Sequence, residues 1–238
     1  MHPIERLRAV ARAREVDQAL LVREAAAVLG SFADDLPGLV TSCRRLIDGH
    51  PTAGALWWAC ARLLAAGDVW AEAQAIGHDL ADDPATTALS LDLPDGVVVA
   101  VVPDVAGGSE LAYELNGWRD DIVVASDPGA LHAPRDEPRV LLVEAGAAGP
   151  HRFVAPEGSA DEIAAARDAG VPVWLVVDVG RRLPPALFDA LLTRAAARPD
   201  ARSPSVEVVP TAAAERTVEP RRIDCPVPPE LLRSPGGW

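Results

Sequence analysis

The sequence predicts an α/β protein in which an N-terminal helical domain precedes a domain built on a mostly parallel β-sheet. Three observations lead to this prediction. Residues 1–85 carry helical patterns and no convincing strand, whereas short β-branched runs alternate with helical segments from residue 97 onward. Within this second half, residues 139–177 can be assigned almost residue by residue as strand, loop, helix and strand.

The crossover unit in residues 139–177 is the clearest part of the sequence. Residues 140–143 and 171–177 are nearly unbroken β-branched runs, which are typical of parallel strands buried on both faces. Ser159 lies three residues before Glu162, a spacing that predicts a capping box at the start of a helix. Gly170 lies where a left-handed residue would end that helix, so a parallel strand is expected to follow.

The first half predicts a series of packed helices. Asp68 is positioned to cap one of them, and the neighbours Trp57 and Trp58 lie in another. Adjacent helical residues point in different directions, so only one of the two indoles is expected in the core, and the other at an interface or lining the cleft between the domains. The helical patterns cover residues 16–29, 36–47, 50–64 and 69–80.

Composition suggests where the two halves meet. From residue 82 to 95 the chain is rich in Asp, Pro, Thr and Ser, which predicts a hinge. We therefore place a helical domain at residues 1–85, a linker at 86–96 and an α/β domain at 97–238. In the latter, strands are expected at 97–102, 122–125, 140–143, 171–177 and 206–209, and helices at 109–115, 160–169 and 185–197. The apolar, proline-rich tail from residue 220 is expected to dock on an edge of the fold or on a partner subunit.

Charge and residue usage exclude several functions. With a net charge of -13 and no basic, aromatic-rich face, the chain is not expected to bind nucleic acid. It contains no lysine, which excludes Schiff-base chemistry and a phosphate-loop lysine. The wide spacing of Cys43, Cys60 and Cys225 indicates neither a disulfide framework nor a metal site, so a reducing cytoplasm is expected. No apolar run is long enough for a signal peptide or a membrane span.

Five short segments together resemble one known family. Residues 50–64 read HPTAGALWWACARLL and resemble an RPTA-type helix, and residues 108–112 (GSELA) resemble a GRxLA segment. Residues 141–146 (LLVEAG) resemble a VLVGAD strand, residues 158–173 resemble a GT…GVPV helix and strand, and residues 228–232 (PPELL) resemble a terminal PPELI sequence. In order and spacing the chain is similar to a shortened, divergent member of the family of methylthioribose-1-phosphate isomerase, ribose-1,5-bisphosphate isomerase and the α, β and δ subunits of translation initiation factor 2B.

The resemblance implies a Rossmann-like C-terminal domain related to the ribose-5-phosphate isomerase and CoA-transferase scaffolds, and a homodimer formed through that domain. It also implies where the isomerases bind a sugar phosphate. The corresponding ligand-binding candidates in this chain are His50, Thr52, Gly108, Ser109, Gly158 and Ser159.

Residues that the resemblance would require for isomerase chemistry are missing at the matching positions. The family's catalytic aspartate falls on Gly146, and residues 97–103 contain no cysteine. The arginine expected to hold phosphate falls on His50, and an Asn-Lys pair beside the substrate falls on Pro156 and Glu157. Because an apolar side chain cannot move a proton, the resemblance implies that this catalysis has been lost.

Two ligand-binding candidates also have a simple structural interpretation. His50 immediately precedes a predicted helix N-terminus, where it could assist phosphate binding or could be an ordinary surface histidine. Ser159 could donate to a phosphate or only cap its helix, and Asp161 and Glu162 would compete with an anion there.

Glu144 and His151 are the candidate acid-base residues. Glu144 is expected at the carboxyl end of a strand, where open α/β folds bind ligands and where burial would raise its pKa. It could instead pair with Arg152, which forms with His151 either an anion-binding loop or a solvated one. No acidic or histidine cluster matches a metal-ligand spacing, so neither a metal nor a cofactor is expected.

The sequence therefore predicts a catalytically degenerate protein that acts by binding, either sensing a sugar phosphate or nucleotide or contacting a protein partner. The alternative is an aldose-ketose isomerase of a phosphorylated sugar that uses Glu144 with His151. A sugar-responsive transcription regulator is a third hypothesis, which the acidic charge and the absence of a helix-turn-helix pattern disfavour. We expect a cytoplasmic homodimer.

Overall fold

The computed structural model of the chain describes residues 17–104, 110–125, 127–131, 136–197, 205–219 and 221–232. In these ranges a group of helices comes first, followed by a five-stranded parallel sheet, a small antiparallel sheet and further helices. The predicted fold class, α/β with a mostly parallel sheet, is confirmed.

The first region is helical, as predicted. It contains α1 (Gln18–Leu29), α2 (Leu36–Gly49), α3 (Gly54–Ala65), α4 (Val69–Ala81) and α5 (Ala85–Asp92). The side chains of Asp17, Asp35 and Asp68 accept N–H groups in the first turns of α1, α2 and α4, so the predicted Asp68 cap is confirmed. Helix α5 lies within the segment expected to be a linker, and the domain boundary there stays a prediction. In the described ranges no helix combines the length and apolar character that crossing a membrane requires.

The remaining elements form two sheets and four helices. The strands are β1 (Val98–Val102), β2 (Val123–Ala125), β3 (Arg139–Glu144), β4 (Ala147–Ala148), β5 (Arg152–Pro156), β6 (Val173–Val176), β7 (Val206–Pro210) and β8 (Arg216–Val218). The helices are α6 (Glu110–Trp118), α7 (Ser159–Asp168), α8 (Pro185–Ala197) and α9 (Pro229–Leu232). The main sheet has the strand order β2-β1-β3-β6-β8, and its four pairings are parallel. The predicted crossover unit of β3, α7 and β6 is confirmed.

The second sheet is a correction to the sequence prediction. We expected residues 206–209 to extend the alternating parallel pattern, but β7 pairs antiparallel with β5 in a β4-β5-β7 sheet. Arg152 was expected in a loop and instead begins β5. The two alanines of β4 are not β-branched, so the sequence gives no indication of a strand there. So short a strand is stabilised mainly by the strands that pair with it.

The start of α7 also differs from the prediction. Its N-cap is Gly158, which has a φ of +94°, and the Glu162 N–H donates to the Gly158 carbonyl. Ser159 is the first helical residue, and its hydroxyl donates to the carbonyl of Pro156 at 2.7 Å. The predicted capping box is therefore wrong, because a left-handed glycine begins this helix without a side-chain acceptor. Gly170, with a φ of +69°, ends the helix region as predicted.

Helix α3 is buried on all sides. Trp57 and Trp58 are both fully buried, so the prediction that only one of them faces the core is wrong. The reason is that α3 packs against α1, α2 and α4 and also against α8 and β4, which leaves it no solvent face. Apolar residues of the helical region and of the α/β region consequently share one core.

The C-terminal tail docks on the helices of its own chain. Arg221 donates to Asp79 of α4 at 2.6 Å, and Arg44 of α2 donates to the carbonyl of Glu230 at 3.0 and 2.8 Å. Leu231 of α9 is fully buried in the core that it shares with the helical region. Residues 221–232 therefore pack on the fold itself, while Trp238 lies outside the described residues.

Candidate functional site

Three carboxylates lie at the carboxyl edge of the main sheet, where β1, β3 and β6 end. Asp104 lies two residues beyond β1, Glu144 is the last residue of β3, and Asp178 lies two residues beyond β6. Asp104 and Glu144 are buried, and the side chain of Asp178 is mostly buried. Ligands of open α/β sheets bind at this edge, so it is the candidate site.

Arg181 is the buried cation at this edge, and the protein itself binds its guanidinium. Nη1 lies 3.1 Å from Oδ2 of Asp104 and donates to the carbonyl of Ala145 at 3.0 Å. Nη2 lies 2.7 Å from Oδ2 of Asp178. The guanidinium is therefore directed at protein acceptors rather than at an open space for an anion.

The helical region meets the same edge by direct hydrogen bonds. The N–H of Gly54, at the start of α3, donates to the carbonyl of Gly146 at 2.9 Å. A Cβ at position 54 would lie 2.8 Å from Cβ of Ala147, so the two segments are in close contact. From α1, Nε2 of Gln18 donates both to the Gly146 carbonyl at 3.1 Å and to Oδ2 of Asp104 at 3.0 Å. Among the described residues, α1 and α3 therefore contact this edge directly.

Negative charge predominates around the Arg181–Asp178 pair. The pKa of Asp178 is raised to about 6: burial is the main cause, Arg181 opposes it, and neighbouring carboxylates add to the rise. Burial also disfavours the charged guanidinium, but Asp178 and Asp104 outweigh this and raise the pKa of Arg181 above its ordinary value. The carboxylates that influence the pair are Asp17, Asp83, Asp104, Glu144 and Asp178. In the described part of the chain, no group of three or more His, Cys, Asp or Glu side chains is arranged to hold a metal ion.

Of the two predicted acid-base candidates, Glu144 lies at this edge and His151 does not share its environment. Glu144 is buried close enough to Arg181 to raise the pKa of that guanidinium. His151 is exposed in the turn before β5. Arg152, the other partner considered for Glu144, forms an exposed pair with Asp189 of α8 at 3.3 Å. Arg181 therefore takes the place that the sequence assigned to Arg152.

His50 does not precede a helix N-terminus, contrary to the prediction. It is the C-cap of α2, since its N–H donates to the carbonyls of Leu46 and Ile47 and α3 begins only at Gly54. The C-terminal end of a helix carries negative partial charge, which repels a phosphate. Thr52 is buried in the turn between the two helices.

The N-terminus of α7 already binds a carboxylate of the protein. The N–H of Ala160 donates to Oε1 of Glu207, from β7, at 2.7 Å. A phosphate at Gly158 and Ser159 would have to compete with this internal anion. Gly108 and Ser109 lie outside the described residues, so their assignment stays a prediction.

Asp104, Asp178, Arg181 and Gln18 are not singled out by the sequence. Asp104 and Asp178 each follow a strand by two residues, and this repeated pattern is the signal that could find them, because parallel strands end at the same edge. Gln18 reaches Asp104 across 86 positions of the chain, which no local pattern encodes.

A group of helices packed against a five-stranded parallel sheet defines the architectural class of this protein, and solved structures have a similar overall fold. A crystal structure of the translation initiation factor eIF-2B from Pyrococcus horikoshii OT3 matches with a TM-score of 0.67 at 11% identity, covering 91% of this chain and 94% of that chain. A chain of the tetrameric eIF2B-β2-δ2 complex from C. thermophilum matches with a TM-score of 0.64 at 13% identity, covering 91% and 88%. The 5-methylthioribose 1-phosphate isomerase from Pyrococcus horikoshii OT3 matches with a TM-score of 0.57 at 14% identity, covering 91% and 82%.

The chain thus has the fold of eIF2B subunits and of 5-methylthioribose 1-phosphate isomerase, as the sequence resemblance implied. A scan against protein-family models found no match, and a search of curated proteins found none either.

Proposed function

We propose that the protein acts by binding a protein partner, a second copy of itself in the first instance, and that it does not isomerise a sugar phosphate. The observation that carries this proposal is the contact of Gly54 with the Gly146 carbonyl at the carboxyl edge of the sheet. This contact brings the helical region against the edge where open α/β folds bind small molecules.

The charges at this edge favour the hypothesis that the protein binds a protein partner over the hypothesis that it binds a phosphate. Arg181 is bound by Asp104 and Asp178, and further carboxylates surround the pair. A phosphate entering this edge would meet excess negative charge in a buried setting, where electrostatic interactions are strong. A sugar-phosphate or nucleotide ligand is therefore disfavoured here.

Exposed apolar side chains on two packed helices support the protein-partner hypothesis. We call the solvent side of these helices the α5–α6 face; Leu91, Tyr113 and Trp118 on them are 81%, 83% and 51% exposed. Arg119 joins the ends of the two helices, since its Nη1 donates to the carbonyls of Ser90 and Leu93 at 2.8 and 3.0 Å. The face lies beside β2, an edge strand of the main sheet, and exposed edges and aromatic patches are typical of contact surfaces.

Charges beside the α5–α6 face suit a second copy of the same chain. Arg119 pairs with Asp95 at 2.9 Å and with Asp121 at 2.6 Å, and Arg216 pairs with Asp92. Because these carboxylates have internal partners, they add less like-charge repulsion between two identical faces than unpaired carboxylates would. The occurrence of an eIF2B neighbour as a tetrameric complex is consistent with this form of assembly.

Analytical ultracentrifugation of the full-length chain at micromolar concentration tests the proposal. We expect the mass of a dimer, and we expect Trp118→Glu to shift the chain to monomer. Trp70→Glu is the matched control, because Trp70 is 61% exposed on α4, in the helical region. A monomeric wild type, or equal dissociation by both substitutions, would overturn the assignment of this face.

Incubation of the pure protein with methylthioribose-1-phosphate and with ribose-1,5-bisphosphate tests the loss of catalysis. We expect no turnover of either compound. Turnover that Glu144→Gln reduces would show that the edge is catalytic and would reverse the proposal.

One observation favours the alternative, an aldose-ketose isomerase with different acid-base residues. Burial raises the pKa of Asp178 to about 6, within the range that suits a general acid or base near neutral pH. In that case Asp178, not His151, would act with Glu144. Loss of any measured turnover in Asp178→Asn, with a normal far-UV spectrum, would support this alternative.

A further inference from the structure

Cys43 of α2 and Cys60 of α3 are neighbours in the core between these two helices. Both side chains are fully buried in the same apolar cluster, and the helices that carry them pack against each other. Each cysteine lies about two helical turns from the short connection between α2 and α3, and Cys60 is close enough to influence the ionisation of Cys43; both are free thiols. Nothing in the sequence indicated that these widely spaced cysteines would pair. The fold brings them together.

We propose that Cys43 and Cys60 form a reversible disulfide that joins α2 to α3 when the protein reacts with hydrogen peroxide. In the first step the Cys60 sulfur attacks the O–O bond of the peroxide, and a sulfenic acid and one water form. In the second step the Cys43 sulfur attacks the sulfenic sulfur, the S–S bond forms and a second water leaves. Two thiols are oxidised by two electrons, and one peroxide is reduced to two waters.

Burial of the two thiols makes their oxidation slow, and their proximity favours a disulfide between them. The nearby Cys60 and burial raise the pKa of Cys43 well above its usual range. Little thiolate is present at neutral pH, so reaction requires a local opening of the core. Once Cys60 is oxidised, its immediate neighbour is the thiol that can resolve it.

Cys225 offers an internal comparison. Burial raises the pKa of its thiol to about 12, and its sulfur contacts the carbonyl of Pro226 at 3.6 Å rather than another thiol. Its oxidation would stop at an oxygen adduct, because no thiol is in contact with it among the described residues.

The disulfide would tighten the helices that close the sheet edge. It would bracket residues 44–59, which include Gly54 and its contact with Gly146. A cross-link restricts the unfolded chain, so the oxidised protein is expected to unfold at a higher temperature than the reduced protein. The inference does not depend on the proposed binding function.

Peptide mapping of the full-length protein tests the proposal. The protein is treated with hydrogen peroxide, unfolded in an alkylating agent that traps remaining thiols, and digested with trypsin. The three cysteines fall in three different tryptic peptides, because Arg44, Arg45, Arg62 and Arg222 separate them. We expect a Cys43–Cys60 cross-linked peptide that dithiothreitol abolishes, together with a raised unfolding temperature that returns to the reduced value.

Alanine variants supply the controls. Cys225→Ala should retain the cross-link and the rise in unfolding temperature, whereas Cys43→Ala and Cys60→Ala should lose both. Oxygen adducts without a cross-link, or pairing with Cys225, would overturn the proposal. Wild-type mapping decides the question even if an alanine variant does not fold.

Discussion

Gly180 lies against the ring of Trp58 so closely that a Cβ at position 180 would be 2.7 Å from Cε3 of the indole. The guanidinium of Arg62 stacks on the same indole, 4.7 Å from the ring centroid. Gly180 also has a φ of +80°, in the left-handed region that favours glycine. The loop after β6 is therefore shaped to receive a side chain of α3, which holds the helices on the sheet.

Gly180→Ala should destabilise the protein through both effects. The left-handed backbone costs about 1 kcal/mol for a residue with a Cβ, and the clash with a buried ring adds about 1–3 kcal/mol. Gly96→Ala is the matched control, since Gly96 has a φ of +66° with open space around it. Urea unfolding should show the larger loss for Gly180→Ala, and equal losses would mean that the ring contact is unimportant.

Gly54→Ala should separate α3 from the sheet edge. The new methyl group would overlap Ala147 and the Gly146 carbonyl, and we expect a loss of about 1–3 kcal/mol in the free energy of unfolding. Gly77→Ala places a methyl group in open space within α4 and should instead stabilise the protein by about 0.5–1 kcal/mol. Unfolding curves of the two variants should move in opposite directions. A stable Gly54→Ala protein would show that the edge can open.

Arg181→Met should be strongly destabilising, because it removes the guanidinium from the buried carboxylate of Asp104. Breaking one partner of a buried pair typically costs about 3–5 kcal/mol. The added substitution Asp104→Asn should recover part of this loss. By contrast, Arg152→Met interrupts the exposed pair with Asp189 and a distant contact of the guanidinium with the Phe188 ring, 5.9 Å from its centroid, and should cost about 1 kcal/mol or less. Similar losses for the two arginine variants in urea unfolding would contradict the structure.

Stability should depend on the ionisation of Asp178. Its pKa is about 6 in the folded protein and about 3.8 in the unfolded chain, so the folded state binds more protons between these pH values. The free energy of unfolding therefore falls as pH rises from about 4 to 7, by on the order of 3 kcal/mol from this group. The wild type should lose stability relative to Asp178→Asn over that interval. Parallel pH profiles of the two proteins would refute the shifted ionisation.

Much of the fold could be predicted because its signals act over a few residues. Helix α8 begins where the sequence placed it, and β3, α7 and β6 follow from valine-rich apolar runs and the glycine that ends the helix. The β4-β5-β7 sheet could not be predicted, since its strands are short and weakly patterned and gain stability from one another. The same limit explains Trp58, whose burial depends on layers contributed by distant parts of the chain.

The succession of helices followed by alternating strands and helices, the parallel β3–α7–β6 crossover and the identity of each single residue can be read from the amino acids, because each is a property of one residue or of a short run. The sequence alone shows, for example, that residue 146 is a glycine. Only the folded chain determines that its carbonyl accepts the N–H of Gly54, or that Gln18 reaches Asp104 across 86 positions. Such contacts form only when the helices pack against the sheet, and this packing depends on many residues that are far apart in the sequence.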